Sequence, residues 1–515
     1  MERDKYKGKQ SINAKSPKGI TLVALVITII IIIILATVTI NMAFGDNGLI
    51  TQAQKAKDMT ANSIASEQEG MNRVMSEYLN VMAEDSEITP PDIPEEPYVD
   101  SVLPTAPELS DGMTPVKWNG SNWVRTTSDD EEWYDYANKE WANVVLGDAS
   151  WNGNTLNENE PYSMLVWIPR YAYQITSQYH TSTSSAGNIN IVFVDTNNRN
   201  KAGTTTYSTS YPSATAGASS GMSSYVVHPA FNYGGTALPG FWVGKFETSN
   251  TNCTTDASTG NVTYTGNEVI QIKAGVTSWR NIQVSDIFTT CINMNNSGNL
   301  YGLNTSDSVV DPHMMKNSEW GAVAYLSRNT TYGKGSEVWI NNSSSYITGN
   351  AGNSVSASSA SGTTNAYDTG NGPQASTTGN VTGVYDMSGG AWEYVAGYVN
   401  NGNSNLTTYG STLVNAAAKY KDVYSVGSSD SNSNNYAVST PANGHYGDAV
   451  YETSSSGSGS TSWYSDYSYF PNASGPFFIR GGNYSGASIA GVFCFTNSYG
   501  TAYSTHSFRV VLPVL

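Results

Sequence analysis

The sequence predicts an α+β protein in which a transmembrane helix with its stalk, a linker and a loop-rich head follow one another along 515 residues. Three observations support this class. No charged residue occurs between Lys18 and Asp46, six prolines fall within residues 90–107, and only 13% of all residues are charged. The predicted segments are a basic leader (1–19), a transmembrane helix and amphipathic stalk (20–83), a proline-rich acidic linker (84–115), an aromatic-rich extension (116–162) and a head (163–515).

The apolar run at residues 20–42 exceeds the roughly 20 residues that a helix needs to cross about 30 Å of hydrocarbon. In lipid the backbone must satisfy its own hydrogen bonds, so the run is predicted to be helical. The first 19 residues carry six basic and two acidic side chains. Because basic flanks stay on the cytoplasmic side, we expect a single-pass plasma-membrane protein with an extracellular head.

Composition limits what the head can do. The net charge of the chain is −17. The leader contributes +4, so the remaining residues carry −21. A chain this acidic lacks the basic footprint that nucleic acid requires. Three cysteines form no disulfide framework, and their spacing leaves the pairing of Cys253 and Cys291 open.

The head is predicted to contain short strands and few helices. Apolar and polar residues alternate over 165–175, and a second strand is predicted at 189–195. The best helix candidate is 317–327, with Asn317 or Ser318 as the N-cap. Four tryptophans at 118, 123, 133 and 141 indicate either an aromatic ligand-binding surface or a packed core, and we favour the core.

The amino terminus resembles a type IV prepilin, because a basic leader ending in Gly19 precedes the apolar helix directly. The resemblance implies cleavage between Gly19 and Ile20 by a prepilin peptidase, and association with other pilins. Ala24 stands where that family has a glutamate at the fifth mature position, which puts ordinary filament packing in doubt. The alternative is a signal anchor that is never cleaved.

The head resembles the formylglycine-generating-enzyme (sulfatase-modifying factor) family, which has a C-type-lectin-like fold of mixed α and β structure. The matching segments, in order, are 241–248 (FWVGKFET), 313–320 (HMMKNSEW), 383–394 (GVYDMSGGAWEY), 478–484 (FIRGGNY) and 507–511 (SFRVV). Two arginines in these apolar or glycine-rich strands need carboxylate or carbonyl partners. The predicted structural residues are Arg480 and Arg509, with Glu319 and Glu393 as candidate partners beside Trp320 and Trp392.

The family's oxidase uses two cysteines at the fourth and ninth positions beyond the Arg-Gly-Gly motif. Here those positions are Gly486 and Gly491, so we expect no enzyme and no copper. The alternative is an enzyme with a rearranged site that depends on Cys494. The resemblance also implies a calcium ion bound by the carboxylates of Asp386 and Glu393 and the carbonyls of Gly389 and Ala391. The alternative there is a turn held by hydrogen bonds alone.

The segment 483–506 is rich in Tyr, Ser, Asn, Thr and Gly, the residue types that paratopes use. It resembles the variable region of retroelement-diversified proteins, and the alternative is an ordinary polar loop. The predicted ligand-binding residues are Tyr484, Ser485, Ser488, Phe495, Asn497, Tyr499 and Tyr503.

These inferences predict a membrane-anchored, pilin-like surface binding protein of the adhesin or receptor type. Its non-catalytic head would recognise an extracellular protein or glycan. The first alternative is a minor pilin or pseudopilin of a surface appendage, associated with a pilus. The second is an enzyme of the sulfatase-modifying type with a rearranged site.

Overall fold

Short β-strands dominate the part of the chain that the computed structural model describes, residues 104–358 and 364–515. The sequence of this part places Val, Ile, Tyr, Phe and Trp in brief runs between Gly, Asn, Ser and Thr, the pattern of strands joined by turns. The strands are β1 (Thr114–Trp118), β2 (Trp123–Arg125), β3 (Asn143–Val145), β4 (Trp151–Asn152), β5 (Thr155–Leu156), β6 (Met164–Pro169), β7 (Tyr171–Ile175), β8 (Ile189–Phe193), β9 (Val226–Val227), β10 (Asn232–Tyr233), β11 (Thr236–Ala237), β12 (Gly240–Gly244), β13 (Ser249–Asn250), β14 (Ile270–Gln271), β15 (His313–Met314), β16 (Trp392–Val399), β17 (Asp422–Tyr424), β18 (Ser458–Gly459), β19 (Ser468–Tyr469), β20 (Phe477–Gly481), β21 (Gly491–Ser498), β22 (His506–Phe508) and β23 (Val510–Leu512).

The α-helices of the described residues are few and short. They are α1 (Val284–Ile292), α2 (Asn317–Arg328), α3 (Ser404–Thr408), α4 (Ser411–Asn415) and α5 (Asn432–Val438). The predicted α+β class with a transmembrane helix is therefore wrong, and a strand-rich fold replaces it. The physical reason is the abundance of Gly, Ser, Thr and Asn, which are weak helix formers and favour turns and caps.

Among the described residues, no helix is both long and apolar enough to cross a bilayer. The longest, α2, has 12 residues. At 1.5 Å per residue that is about 18 Å, well short of the roughly 30 Å of hydrocarbon. The structure thus does not support single-pass anchoring in the plasma membrane, and that prediction, with its extracellular head and pilus association, is corrected. The predicted transmembrane helix at 20–42 and the cleavage site at Gly19 and Ile20 lie outside the described residues.

The larger sheet has nine strands in the order β15-β23-β12-β6-β3-β1-β2-β5-β4. All six residues of β6 are buried, and β6 pairs antiparallel with β12 on one side and β3 on the other. The aromatic-rich extension at 116–162 supplies strands β2 to β5 and most of β1. It is therefore continuous with the head through backbone hydrogen bonds.

The second sheet has seven strands, with β17-β16-β20-β21-β19-β18 in order and β22 paired in parallel with β16. Of the segments that resemble the formylglycine-generating-enzyme motifs, 478–484 contributes β20 to this sheet, whereas 241–248 and 313–320 contribute β12 and β15 to the larger one. The chain passes from this sheet to the larger one between β22 and β23, and Arg509 is the single residue between them. That arginine is fully buried at the junction.

Helix α2 confirms the helix predicted at 317–327, although its N-cap is Lys316 rather than Asn317 or Ser318. Eleven of its 12 residues are buried. A Cβ on Gly321 would lie 1.9 Å from the carbonyl oxygen of Gly447, so only glycine allows this close packing. The helix therefore belongs to the core beside the second sheet.

Candidate ligand-binding surface

The segment 483–506 forms two turns separated by a strand. Strand β21 occupies its middle and pairs antiparallel with β20. Phe495, in this strand, is fully buried, with its ring 6.4 Å from that of Phe470. Asn497 is half-buried and its Nδ2 lies 3.3 Å from Oδ1 of Asn472. Phe495 therefore contributes to the core, whereas the other predicted ligand-binding residues outside β21 lie in the turns.

The two turns approach each other at the start of β16. Strand registers explain this, because Glu393 pairs with Arg480 while Trp392 pairs with His506. The backbone N–H of Tyr484, in the first turn, donates to the carbonyl of Gly390 at 2.8 Å. The N–H of Trp392 donates to the carbonyl of Thr505, in the second turn, at 3.0 Å. Residues far apart in sequence are thus held beside one strand end.

The buried Arg280 connects the same two turns from the protein interior. Its Nη1 donates to the carbonyl of Ser504 at 2.8 Å. Its guanidinium lies 4.0 Å from the centroid of the Tyr346 ring. The Tyr346 and Tyr484 rings meet edge to face at 5.0 Å and 87°. We call Tyr346, Tyr484, Tyr503 and the underlying Arg280 the tyrosine–arginine surface.

Exposure differs across this region. Arg280 is 3% exposed and Tyr346 is 7% exposed, so both support rather than form the outer face. Tyr484 and Tyr503 are half-buried, and Ser485 and Ser488 are exposed. Tyr499, in the second turn, is 47% exposed. The outer face therefore consists of tyrosines and serines on a rigid base.

The base contains a buried ion pair that the sequence predicted in part. Arg509 donates to both carboxylate oxygens of Glu393, from Nε at 3.0 Å and from Nη2 at 2.5 Å. Its remaining contacts are to the carbonyls of Gly244 and Tyr385. Burial raises the pKa of Glu393 to about 7, although Arg509 opposes that shift.

Arg480 and Glu319 do not pair with each other. Arg480 donates to Oδ1 of Asn317 and to three backbone carbonyls, those of Cys494, Asp448 and Ala449. Glu319 instead contacts His313 and Lys316. Trp320 donates its indole N–H to the carbonyl of Val492 at 2.8 Å, and so links α2 to β21.

The predicted calcium ligands lie in one turn, but their carboxylates already accept hydrogen bonds. Asp386 accepts from Nδ2 of Asn341 at 2.8 Å and from the N–H groups of Gly349 and Glu247. Both carboxylate oxygens of Glu393 accept hydrogen bonds from Arg509. Hydrogen bonds therefore already occupy the carboxylates that a calcium ion would need, and calcium binding stays a prediction. The described residues also contain no group of three or more His, Cys, Asp or Glu placed to hold a metal.

Gly389 and Ala391, whose carbonyls complete that predicted set, have backbone roles here. A Cβ on Gly389 would lie 2.4 Å from the carbonyl oxygen of Asn341. The N–H of Ala391 donates to Oε1 of Glu247 at 2.8 Å. Glu247 is buried, and burial together with Asp386 and Glu393 raises its pKa well above the ordinary value.

The two positions that bear cysteines in the oxidase family are tightly packed. A Cβ on Gly491 would lie 2.1 Å from Oδ2 of Asp466, and one on Gly486 would lie 3.0 Å from Cβ of Ala490. Cys494 is fully buried, and burial raises the pKa of its thiol well above the ordinary value. The three cysteines are all free.

Sequence reasoning missed Arg280, Tyr346 and Glu247 as parts of this region. Glu247 lay within the segment 241–248, but nothing in that segment gave a reason to expect it below the turn 389–391. No local pattern marks Arg280 or Tyr346, because both join this region through contacts with residues that are distant in sequence.

No protein-family model matches the chain, and no curated protein matches it. The type IV prepilin and formylglycine-generating-enzyme resemblances therefore gain no support from those comparisons. Among solved structures, the chain has a weak similarity to Treponema denticola variable protein 1, with 12% identity and a TM-score of 0.22. The similarity covers 53% of this chain and 85% of that one. At this TM-score it assigns no role to any residue.

Proposed function

We propose that the described part of the chain is a non-catalytic binding domain that recognises a macromolecule through the tyrosine–arginine surface. The observation that carries the proposal is the convergence of two turns on Arg280 and Tyr346. Tyrosine offers a large contact area at low entropic cost, and small polar neighbours offer adaptable hydrogen bonds. A base fixed by buried hydrogen bonds keeps these side chains preorganised.

A protein ligand is favoured over a glycan at this surface. Tyr, Trp and Arg are enriched among the residues that dominate binding energy in protein interfaces. Here the half-buried Tyr484, Tyr503 and Trp392 lie around one strand end. The net charge of −17 favours a neutral or basic partner over an acidic one.

Packing at the cysteine-equivalent positions supports a non-catalytic role. Because the Asp466 side chain fills the space beside Gly491, no side chain fits there unless that buried carboxylate moves. Cys494 is held as a protonated thiol in the core, whereas metal binding and nucleophilic attack both need the thiolate. Copper binding that depends on Cys494 would contradict this part of the proposal.

The test is a binding screen of the full-length chain against arrays of proteins and of glycans. We expect protein hits whose affinity falls at least about tenfold with Tyr484→Ala, as for a central interface tyrosine. The matched control is Tyr207→Ala, which removes a half-buried tyrosine that meets Tyr225 edge to face at 5.5 Å elsewhere. Thermal unfolding of both variants checks the fold.

Unchanged affinity in Tyr484→Ala and in Tyr503→Ala would show that the surface is not the binding site. Hits confined to the glycan array, and lost in Tyr484→Ala, would keep the site and replace the protein ligand with a glycan.

A further inference from the structure

A second concave region lies far from the turns in sequence, on the part of the larger sheet that the extension 116–162 builds. Its volume is about 570 Å³. Four tryptophans line it, and we call it the tryptophan cleft: Trp118, Trp123, Trp133 and Trp141. These are the tryptophans that the sequence placed either in a ligand-binding surface or in a core.

Three of the four are rigid parts of the cleft wall. Trp123, Trp133 and Trp141 are each at most 3% exposed. Their indole N–H groups donate, respectively, to the hydroxyl of Tyr367 and to the carbonyls of Asn143 and Tyr332. The prediction that the tryptophans form a packed core is therefore confirmed for these three and not for Trp118.

Trp118 differs from the other three. It is half-buried, at the end of β1. Its ring is held edge-on by Trp123 at 5.5 Å and by Tyr367 at 6.5 Å. Among residues 104–358 and 364–515, its indole N–H has no hydrogen-bond acceptor. Trp118 is thus a fixed aromatic ring with an unused donor at the edge of a cleft.

Polar side chains border the same cleft. Lys117 and Glu132 both line it, and they form an ion pair of 2.7 Å. The Glu132 side chain is 81% exposed and only its Oε2 contacts Lys117, so its other carboxylate oxygen is accessible to a ligand. The amide of the exposed Asn119 also lies at the border. Amide, carboxylate and ammonium groups beside an aromatic ring can bond the hydroxyls of a sugar.

A cationic ligand fits this cleft less well. The ammonium of Lys245 already lies 4.8 Å from the ring centroid of Trp123, from the buried side. The carboxylate of Glu132 already contacts the ammonium of Lys117, which it shares with Asp130. A sugar ring needs neither an open cation site nor a net charge, because its apolar C–H face packs on an aromatic ring while its hydroxyls bond the polar border.

We propose that the tryptophan cleft binds a saccharide, with a pyranose ring on Trp118 and hydroxyl contacts to Glu132, Lys117 and Asn119. This site is separate from the tyrosine–arginine surface and does not depend on the function proposed for it. The chain would then carry two binding regions of different chemistry.

The test uses the full-length chain on an array of pyranose oligosaccharides, with titration calorimetry on the oligosaccharides that bind. We expect Trp118→Ala to weaken that binding at least about tenfold and Trp118→Phe to weaken it less, because phenylalanine keeps a ring. Glu132→Gln, at a position whose side chain is 81% exposed, should weaken it severalfold.

The matched control is Trp151→Ala. Trp151 is a half-buried tryptophan of the same sheet that stacks with Arg125 at 4.0 Å and does not line the cleft. Its removal should leave saccharide binding unchanged. The proposal is overturned if the wild-type chain binds no oligosaccharide on the array, or if both Trp118→Ala and Glu132→Gln bind with wild-type affinity.

Discussion

At the scale of single residues, Arg509 and Glu393 form a buried ion pair under the tyrosine–arginine surface. Arg509 is fully buried and satisfies both oxygens of Glu393, and its other donors reach backbone carbonyls. A buried charge left without its partner costs several kcal/mol, so each member constrains the other. The pair fixes where β16 starts relative to the junction of the two sheets.

Replacing Glu393 with glutamine should therefore lower the free energy of unfolding by about 3–5 kcal/mol, because Arg509 stays buried without a counter-charge. Urea denaturation followed by tryptophan fluorescence measures the change. The control is Asp195→Asn, which weakens the partly exposed Arg199–Asp195 pair and should cost less than about 1 kcal/mol. Equal losses in both variants would contradict this account.

A second buried carboxyl, Glu452, is surrounded by tyrosines. The hydroxyls of Tyr173, Tyr211 and Tyr325 donate to its oxygens at 2.7 to 3.1 Å. Burial still dominates and raises the pKa of Glu452 to about 7, from an ordinary value of 4.5. The folded chain therefore binds this proton more tightly than the unfolded chain does.

That direction predicts a pH dependence. The contribution of Glu452 to stability is complete below about pH 4.5 and is lost as the pH rises through about 7. In Glu452→Gln this loss should be absent, so the difference in unfolding free energy between wild type and variant should change with pH in that window. Denaturation curves at pH 5, 6, 7 and 8 measure it. A pH-independent difference would show that the carboxyl does not titrate there.

At the scale of elements, β21 determines which residues of the segment 483–506 can meet a ligand. The strand is inserted between β20 and β19, and six of its eight residues are buried, Thr496 and Asn497 being the two half-buried ones. Trp320 of α2 fixes one end of it through the carbonyl of Val492. The exposed residues of the segment, such as Ser485, Ser488 and Tyr499, lie in the turns on either side.

Gly491, at the start of β21, should tolerate no side chain. We expect Gly491→Ala to lower the free energy of unfolding by about 1–3 kcal/mol, because its Cβ would lie 2.1 Å from Oδ2 of Asp466. The control, Gly244→Ala in β12, adds a Cβ whose nearest neighbour is 3.4 Å away. Thermal unfolding compares the two, and a stable Gly491→Ala with a destabilised Gly244→Ala would be the contrary result.

At the scale of the whole described chain, early and late segments share one sheet. Strands β1 to β5 come from residues 114–156, while β23 comes from residues 510–512 and lies between β15 and β12. All three residues of β23 are fully buried. The carboxyl-terminal strand is therefore an interior strand of the larger sheet.

A chain that ends at Arg509 should lose cooperative unfolding, because removal of β23 leaves β12 and β15 without their partner and exposes core side chains. A chain that lacks only Leu515, which is 40% exposed, should unfold as the full chain does. All 12 tryptophans lie at or beyond residue 118, so their fluorescence reports on this part alone. Cooperative unfolding of the shorter chain would show that β23 is dispensable.

Local pattern was sufficient for several elements. The alternating run 165–175 became two strands, β6 and β7, which meet at Arg170, and the helix predicted at 317–327 became α2. The cost of burying an arginine alone predicted carboxylate or carbonyl partners for Arg480 and Arg509, with Glu319 and Glu393 as candidates, but it did not say which residues pair. Short strands and few helices were predicted for the head, but the α+β class with a transmembrane helix was wrong for the described residues. That class rested on the apolar run at 20–42, which lies outside the described residues.

What the sequence by itself determined was the kind of chemistry present: tyrosine and serine in the turns, two buried arginines, and no cysteine at Gly486 and Gly491. Only the tertiary structure decided which of those side chains share a site. Phe495 was removed from the predicted site because β21 is buried on both faces at that point. Arg280 and Tyr346 were added to it by a hydrogen bond to Ser504 and by ring contacts between Arg280, Tyr346 and Tyr484. Such convergence depends on contacts between residues hundreds of positions apart, which no local pattern encodes.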